Sequence, residues 1–224
     1  MTAATSSPAT ERITPQNEGR SALVEATILA ISEFGPGSVH PNELCRELGL
    51  SKSLVNFHFG GRDGLIAEAL AASYERYVAS LWEIAEAAGP TAFDKLLEWI
   101  MGQVEWTIEH PGIAAGLNFP REAGGLTASI DDELYQRINA AGNRNFHNLN
   151  TLVRAAIIES APEGSEAPDT TTVALDAAIT GWVTLGLSVW ASGNHLPTRS
   201  MGARDFLPLA KAQLEKMLRS YFSI

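Results

Sequence analysis

The chain has 224 residues, 45% of them hydrophobic, and its formal net charge is −10. That length can bury one small and one larger core, and the hydrophobic content excludes a chain that is disordered throughout. The acidic balance argues against a protein that coats nucleic acid loosely, and the single cysteine, Cys45, excludes an internal disulfide.

The first 19 residues are predicted to form a flexible arm. They contain no apolar segment of the kind that directs secretion. The longest uncharged apolar stretch, residues 177–191, is shorter than the ~20 residues that span a membrane. Together with the lone cysteine, these features predict a protein of the reducing cytoplasm without a membrane partner.

The spacing of apolar residues predicts a first helix from about Glu18 to Phe34, which ends at Gly35-Pro36-Gly37. Two short helices follow, from about Pro41 to Leu48 and from about Ser51 to Phe59. Gly49 separates them, and two short helices joined by a glycine turn are typical of a helix-turn-helix.

The second short helix has an inner and an outer face. The inner face carries Leu54, Val55, His58 and Phe59. The outer face carries Lys52, Ser53, Asn56 and Phe57. Ser51 precedes both and is a favourable N-cap residue. The outer group could read a major groove, because lysine donates to guanine, asparagine pairs with adenine and an aromatic edge meets a thymine methyl group. The alternative is that these residues are only the polar side of a short helix.

This segment resembles the DNA-binding unit of the tetracycline-repressor (TetR) family. Residues 50–59 are similar to the family's recognition helix, with an aromatic pair and a His-Phe end, and residues 60–65 are similar to the turn that follows it. The preceding helix fits through Arg20, Leu23, Val24, Ala26, Thr27, Ala30 and Ile31. The motif-level match covers about residues 20–70, and beyond it only the order and length of the helices are similar.

The resemblance implies a set of DNA-contacting residues. By their positions in the motif, His58 and Arg62 meet phosphates, while His40 and Ser51 lie at helix N-termini, where N–H groups favour phosphate. The expected DNA-binding residues are His40, Ser51, Lys52, Ser53, Asn56, Phe57, His58 and Arg62. Asn56 stands where the family usually has tyrosine, which suggests a different operator preference. His40 stands where the family has threonine, which removes a cap worth roughly 1 kcal/mol.

Positive charge in this unit is confined to a short stretch. Residues 20–70 carry four basic and six acidic side chains, whereas residues 48–62 carry Lys52 and Arg62 and no acid. Affinity for DNA should therefore depend on a few well-placed contacts and on dimerisation rather than on a broad basic field.

The rest of the chain is also predicted to be helical, and because no strand pattern occurs the expected fold class is all-α. Six further helices are expected: from about Arg62 to Gly89, from Thr91 to His110, a short one after Pro111-Gly112, from Ser129 to about Ser160, from Thr170 to Ser192, and from about Asp205 to Phe222.

An aromatic stripe on the fifth helix is the candidate wall of an effector pocket. Trp99, Gln103, Trp106 and His110 follow one another at i, i+4, i+7 and i+11. Looser candidates are Asn118, Phe119, His147 and Trp182. For any single residue, core packing is the slightly stronger alternative, whereas the TetR resemblance implies that some pocket exists. The acidic balance and the aromatic stripe favour a mostly apolar or cationic effector.

Small residues on the eighth helix form the candidate dimer interface, because they let a second helix approach closely. The interface set comprises Ala177, Gly181, Thr184 and Ser188, joined by Leu207, Leu214, Leu218 and Tyr221 of the last helix. Two helices from each protomer would then form a four-helix interface.

The expected protein is thus a TetR-type regulator with an arm at 1–19, a three-helix DNA-binding domain at 20–70 and an effector-binding and dimerisation domain at 71–224. A homodimer would bind successive major grooves of a pseudo-palindromic DNA operator, and a small-molecule effector would release it. The alternative is a helical small-molecule binder or adaptor that binds no operator. The five histidines lack metal-ligand spacing and no nucleophile or phosphate-loop motif occurs, so no catalytic residue, metal or cofactor is expected.

Overall fold

The computed structural model describes residues 15–117, 132–192 and 203–222. Within these ranges the chain forms nine α-helices and one 3₁₀ turn, at Pro36–Ser38, and no strand. The helices are α1 (Pro15–Phe34), α2 (Pro41–Glu47), α3 (Ser53–Phe59), α4 (Arg62–Ala87), α5 (Ala92–Glu109), α6 (Pro111–Leu117), α7 (Asp132–Ser160), α8 (Thr170–Ser192) and α9 (Ala203–Phe222). The all-α class predicted from the sequence is confirmed. None of these helices is long and apolar enough to cross a membrane.

Among the first three helices, two begin at a different residue from the one predicted. α1 starts at Pro15, so the last residues of the expected arm are helical, and proline suits a first turn because its missing N–H has no partner there. α3 starts at Ser53 with Lys52 in the N-cap position. The Ser51 hydroxyl accepts a long hydrogen bond of 3.4 Å from the N–H of Ser53 and contacts the Ser53 hydroxyl at 2.8 Å.

A first core joins α1, α2, α3 and the first half of α4. Its buried members are Leu23, Val24, Ile31, Val39, Cys45, Val55, Leu65, Ile66, Ala69, Leu70 and Ile113. Cys45 is fully buried, and burial raises the pKa of its thiol. A buried neutral thiol is a packing group rather than a reactive one.

A second core surrounds α5, which contacts α4, α7, α8 and α9. A capping box starts this helix, because the Thr91 hydroxyl accepts from the Asp94 N–H at 3.0 Å while the Asp94 carboxylate accepts from the Thr91 N–H. α4 contributes to both cores, with Leu70 in the first and Tyr77 in the second. The predicted domain boundary after residue 70 therefore falls inside one continuous helix.

Two glycines permit close backbone approaches that fix the helix-turn-helix unit formed by α1, α2, α3 and the start of α4. A Cβ at Gly64 would lie 1.8 Å from the carbonyl oxygen of Phe59, so the first turn of α4 sits directly on the end of α3. A Cβ at Gly112 would lie 1.9 Å from the carbonyl oxygen of Ile31, so α6 sits equally close to α1. The neighbouring Ile113 is buried in the first core, which ties the second half of the chain to the first.

Candidate DNA-binding surface and effector cavity

The outer face of α3 is open to solvent. Lys52, Ser53, Asn56 and Phe57 are all exposed, whereas Val55 on the opposite side is buried. Phe57 is 70% exposed, which is unusual for a large apolar side chain on so short a helix. The helix therefore presents a cation, an amide, a hydroxyl and an aromatic ring on one accessible face.

The turn before α3 holds this face in place. Gly49 adopts a left-handed conformation, with φ of 66°. A residue with a side chain would be strained in this conformation. The N–H of Leu50 donates to the carbonyl of Cys45 at 2.8 Å, which closes the end of α2. His40 occupies the N-cap of α2, and its exposed ring makes no capping hydrogen bond there, as its replacement of threonine predicted.

Arg62, predicted to meet a phosphate, is engaged within the protein. Its Nε donates to the carbonyl of Val39 at 2.9 Å, and its Nη2 donates to the carbonyl of Pro36 at 2.7 Å. Its remaining terminal nitrogen contacts Asp63 at 3.4 Å. The guanidinium thus links the start of α4 to the segment that leads into α2.

His58 lies on the inner side of α3 and not on the exposed face. Its Nε2 is buried and has no hydrogen-bond partner among the described residues. The ring meets the edge of Phe57 with centroids 4.8 Å apart, and it borders a cleft that α4 and α7 also line. In this conformation His58 does not share a surface with Lys52 and Asn56.

A partly buried ion-pair network connects α1 and α4 to α7. The carboxylate of Glu68, on α4, lies 3.1 Å from Arg20 of α1 and 2.9 Å from Arg137 of α7. Arg137 also binds Glu75 through two hydrogen bonds of 3.0 and 2.9 Å. This pairing lowers the pKa of Glu75, and the two carboxylates raise the pKa of Arg137. Arg20 stands 5.5 Å from the ring centroid of Phe59, so the network reaches α3.

A cavity of about 300 Å³ lies between α4, α5, α6, α7 and α8. Two predicted ligand-binding residues, Gln103 and Trp106, are part of its wall. The other lining residues are Tyr74, Tyr77, Thr107, Ala114, Ile138, Asn139, Gly142, Asn143, Asn145, Leu185 and Ser188.

Four aromatic rings stack in a row beside the cavity. Tyr74 and Tyr77 have centroids 5.9 Å apart, Tyr77 and Trp106 are 4.2 Å apart, and Trp106 and His110 are 4.9 Å apart. The inner rings of this row, Tyr77 and Trp106, each have two ring neighbours. Part of the surface of each ring is therefore occupied by its neighbours.

Three polar atoms at the cavity are buried without a hydrogen-bond partner among the described residues. They are Oε1 of Gln103, Oδ1 of Asn145 and Oγ of Ser188. Buried polar atoms are nearly always paired, so the three residues that carry these atoms are candidates for contact with a bound molecule.

Comparisons with solved structures give the same architecture. A TetR/AcrR-family transcriptional regulator from Thermobifida fusca YX-ER1 matches with a TM-score of 0.65 at 10% sequence identity, over 89% of this chain and 97% of that one. FadR from Bacillus subtilis, solved in complex with stearoyl-CoA, matches with a TM-score of 0.60 at 14% identity, over 88% and 96%. PfmR, a TetR-family regulator from Thermus thermophilus, gives 0.54 at 18% identity, over 90% and 94%.

The chain has the TetR fold. No protein-family model and no curated protein matches the sequence, so the likeness is one of structure. The TetR resemblance inferred from residues 20–70 is thereby confirmed at the level of the fold.

Within the TetR fold, the other predicted ligand-binding residues that the structure describes lie outside the cavity wall. Trp99 is buried in the second core, His110 stacks behind Trp106, and His147 is exposed. Trp182 is 76% exposed and points away from the protomer's interior. Asn118 and Phe119 lie outside the described residues. The spacing of residues on one helix does not determine which of them line a cavity that five helices enclose.

Sequence reasoning missed most of the cavity wall. Tyr74 and Tyr77 come from α4, in which the sequence indicated no candidate ligand-binding residue, and three asparagines come from α7. The usable signal was Asn139, Asn143 and Asn145, a cluster of amides in the middle of a long helix. Ser188 also lines the cavity, although the sequence placed it at the dimer interface.

The predicted dimer-interface stripe of α8 faces the protomer's own core. Ala177, Thr184, Ser188, Leu214 and Leu218 are buried, Leu207 packs against the same core, and a Cβ at Gly181 would lie 3.4 Å from Leu149 of α7. Small residues of α8 let α5 and α7 of the same chain approach closely. These residues are therefore covered within the protomer and are not free to contact a second copy. Of the predicted set only Tyr221 is exposed, and its hydroxyl donates to Asp176 at 2.5 Å.

A different apolar face of α8 and α9 is open. On α8 it comprises Leu175, Ile179 and Trp182, spaced i, i+4 and i+7, and on α9 it comprises Leu209, Met217 and Tyr221. A face of this size on two adjacent helices is larger than scattered surface hydrophobicity explains.

Proposed function

We propose that the protein is a homodimeric transcriptional regulator that binds an operator through α3 and leaves it when a small molecule fills the cavity. The observation that supports this most strongly is the exposed face of α3, held rigidly by the α2 turn and by Gly64, on a TetR fold. We propose no catalytic role, and no cluster of metal-binding side chains occurs among the residues described.

Base reading is assigned to three exposed residues, Asn56 and Phe57 of α3 and Lys52 at its N-cap. Asn56 would pair with an adenine, Lys52 would donate to a guanine or a phosphate, and Phe57 would meet a thymine methyl group. Ser53 and Ser51, at the start of the helix, are close enough to one another to present two hydroxyls to the DNA backbone. His40 would add a phosphate contact from the start of α2. Arg62 is assigned to positioning rather than to contact, because two backbone carbonyls already hold it.

A second copy of the chain is proposed to cover the open face of α8 and α9. A two-fold interface uses the same patch on both copies, and two exposed helices per protomer would build a four-helix bundle there. Trp182, as the most exposed large side chain of the patch, would lie near its centre. Such a dimer would place its two α3 helices in successive major grooves about 34–36 Å apart.

Effector binding is proposed to reach the DNA-binding unit through α6 and α7. Ile138 and Asn139 line the cavity, and the residue before them, Arg137, binds Glu68 of α4. Ala114 of α6 also lines the cavity, and its neighbour Ile113 is buried in the first core. A ligand that displaces either helix would shift the population towards a conformer with the wrong α3 spacing.

The test is selection of binding sites from random duplex DNA with the full-length protein at moderate salt. We expect enrichment of an inverted repeat whose half-sites are one helical turn apart, and loss of that enrichment for Lys52→Ala combined with Asn56→Ala. Lys95→Ala, a lysine change on α5, is the matched control and should leave the selected sequence unchanged. A protein that has been unfolded and refolded to remove co-purified ligand and still enriches nothing would contradict the proposal and favour a small-molecule binder without an operator.

A further inference from the structure

The cavity is uncharged. Its lining consists of aromatic, aliphatic, amide and hydroxyl side chains, and none of the described lining residues is an aspartate, glutamate, lysine, arginine or histidine. The chain as a whole has a formal net charge of −10, so its many charged side chains lie elsewhere than in the described cavity lining. A buried carboxylate or ammonium group in the ligand would lose its hydration without gaining an opposite charge, which disfavours ionised ligands.

The polar side chains of the cavity wall indicate which hydrogen-bonding groups a ligand would carry. The Oε1 of Gln103, the Oδ1 of Asn145 and the Oγ of Ser188 have no hydrogen-bond partner among the described residues. The two amides and the hydroxyl belong to lining residues and can each donate or accept a hydrogen bond. The hydroxyl of Thr107, by contrast, is satisfied, since it donates to the carbonyl of Gln103 at 2.9 Å.

The aromatic row favours a flat ligand. Tyr77 and Trp106 each have two ring neighbours, which occupy part of their surface and restrict the room for a cation over them. Ring edges carry the positive end of the aromatic quadrupole and attract the face of another ring. Burial raises the pKa of Tyr74 and Tyr77, so both phenols remain neutral at physiological pH.

The volume of the cavity limits the size of the ligand. The cavity of about 300 Å³ is at the lower limit of ordinary ligand pockets. Since a closed apolar cavity of roughly 150 Å³ holds one benzene molecule, twice that volume suits two or three fused rings. The stearoyl-CoA bound to FadR is both much larger and anionic, so the likeness in fold does not carry that ligand over.

We propose that the cavity binds a flat, uncharged aromatic molecule of two or three rings that carries at least two hydrogen-bonding groups. This inference rests on the proposed function, because it takes the cavity to be the effector site. The amides of Gln103 and Asn145 form hydrogen bonds with the ligand, Ser188 completes the polar wall, and Tyr77 and Trp106 pack against the ligand's rings.

A series of naphthalenes that differ only in charge tests the proposal. The probes are naphthalene-2-carboxamide, 2-naphthoate, 2-naphthylmethylammonium and 2-methylnaphthalene, titrated into the full-length protein without DNA and followed by calorimetry and by quenching of tryptophan fluorescence. We expect the carboxamide to bind with a Kd at least about tenfold lower than the carboxylate or the ammonium. Equal or tighter binding of either ion overturns the proposal, as does failure of all four probes to bind below about 1 mM.

Two variants assign the contacts. Gln103→Leu and Asn145→Leu should each raise the Kd of the carboxamide about tenfold and leave 2-methylnaphthalene unaffected, because only the hydrogen bonds are removed. Both variants should fold, since each replaces an unpaired buried amide with an apolar group. Gln136→Leu, an exposed glutamine change on the same α7 helix as Asn145, is the matched control. Unchanged carboxamide affinity in both cavity variants would refute the assignment.

The outcome separates this inference from the proposed function. The order of the probe affinities is measured without DNA. It can therefore be confirmed or contradicted even if the protein enriches no operator. An enriched operator combined with no probe binding would overturn only the ligand class.

Discussion

Replacing Arg137 with methionine is the most informative single change, because this residue joins the cavity helix α7 to α4 of the helix-turn-helix unit. The guanidinium makes two hydrogen bonds to Glu75 and one to Glu68, all between 2.9 and 3.0 Å. Arg137→Met removes all three while keeping an apolar stem of similar length. Glu68 would retain only its contact with Arg20.

The expected cost follows from the burial of the partners. Exposed ion pairs contribute about 0–1 kcal/mol, and removing one partner of a fully buried pair costs roughly 3–5 kcal/mol. The Glu68 side chain is 11% exposed and that of Arg137 is 33% exposed, so the network lies between these limits. We expect Arg137→Met to lower the free energy of unfolding by about 1–3 kcal/mol, and each kcal/mol should lower Tm by about 2–4 °C in a chain of this size.

The pH dependence has a defined sign. Arg137 holds the pKa of Glu75 below its ordinary value, so the pair stabilises the fold at pH values above the unfolded-state pKa of about 4.3 and loses that contribution as pH falls through the lower folded value. The difference between wild type and Arg137→Met should therefore be largest near neutral pH and should shrink below about pH 4.

Urea unfolding at one fixed protein concentration measures the effect, since a dimer's stability depends on concentration. Arg76→Met is the matched control: Arg76 pairs with Glu25 between α1 and α4, its side chain is 59% exposed, and its loss should cost only about 0–1 kcal/mol. If Arg137→Met cost no more than the control, or if its cost did not fall in acid, the network would not be the stabilising link described.

Four further changes test other parts of the molecule. Asn56→Ala should lose roughly 1–3 kcal/mol of discrimination at one base position, measured by competition between operator variants, and unchanged discrimination would remove its base-reading role. Arg62→Ala should lower the free energy of unfolding by about 1–2 kcal/mol without altering the salt dependence of DNA binding; a salt slope that flattens by about one would return this residue to phosphate contact. Gly64→Ala should cost about 2–3 kcal/mol or more in chemical unfolding, because the added methyl overlaps a backbone carbonyl, and a neutral effect would disprove that close approach. Trp182→Glu should shift the sedimentation profile towards monomer while Leu29→Glu, an equally exposed site on α1, should not; two unchanged profiles would exclude the open face of α8 and α9 as the interface.

Local sequence signals were sufficient to find the helices. The 3.6-residue apolar period, the Thr91 cap, the Gly60-Gly61 stop and the glycine turn at Gly49 act on neighbouring residues, so they can be recognised without knowing what packs where. The bounds predicted for α8 agree with the structure at both ends. The exposed face of α3 was also predictable, because a short amphipathic helix has only one way to bury its apolar side.

The identity of the partner on each helix face was not predictable. Small residues on α8 permit close approach by any helix, and only the fold shows that α5 and α7 of the same chain take that place. Arg62 could reach a phosphate or a carbonyl with the same chemistry. Its acceptors, Val39 and Pro36, are more than twenty residues away in sequence, and no local pattern records them.

The amino-acid sequence by itself therefore determined the all-α class, the order of the helices and the accessible face of α3, since each depends on interactions within one or two turns. The tertiary structure alone decided the cavity, its uncharged wall and the open face of α8 and α9. A cavity is the space left where several helices fail to meet, and its lining depends on the rotation of every one of them. That rotation is set by packing between distant segments, which the local periodicity of a single helix does not encode.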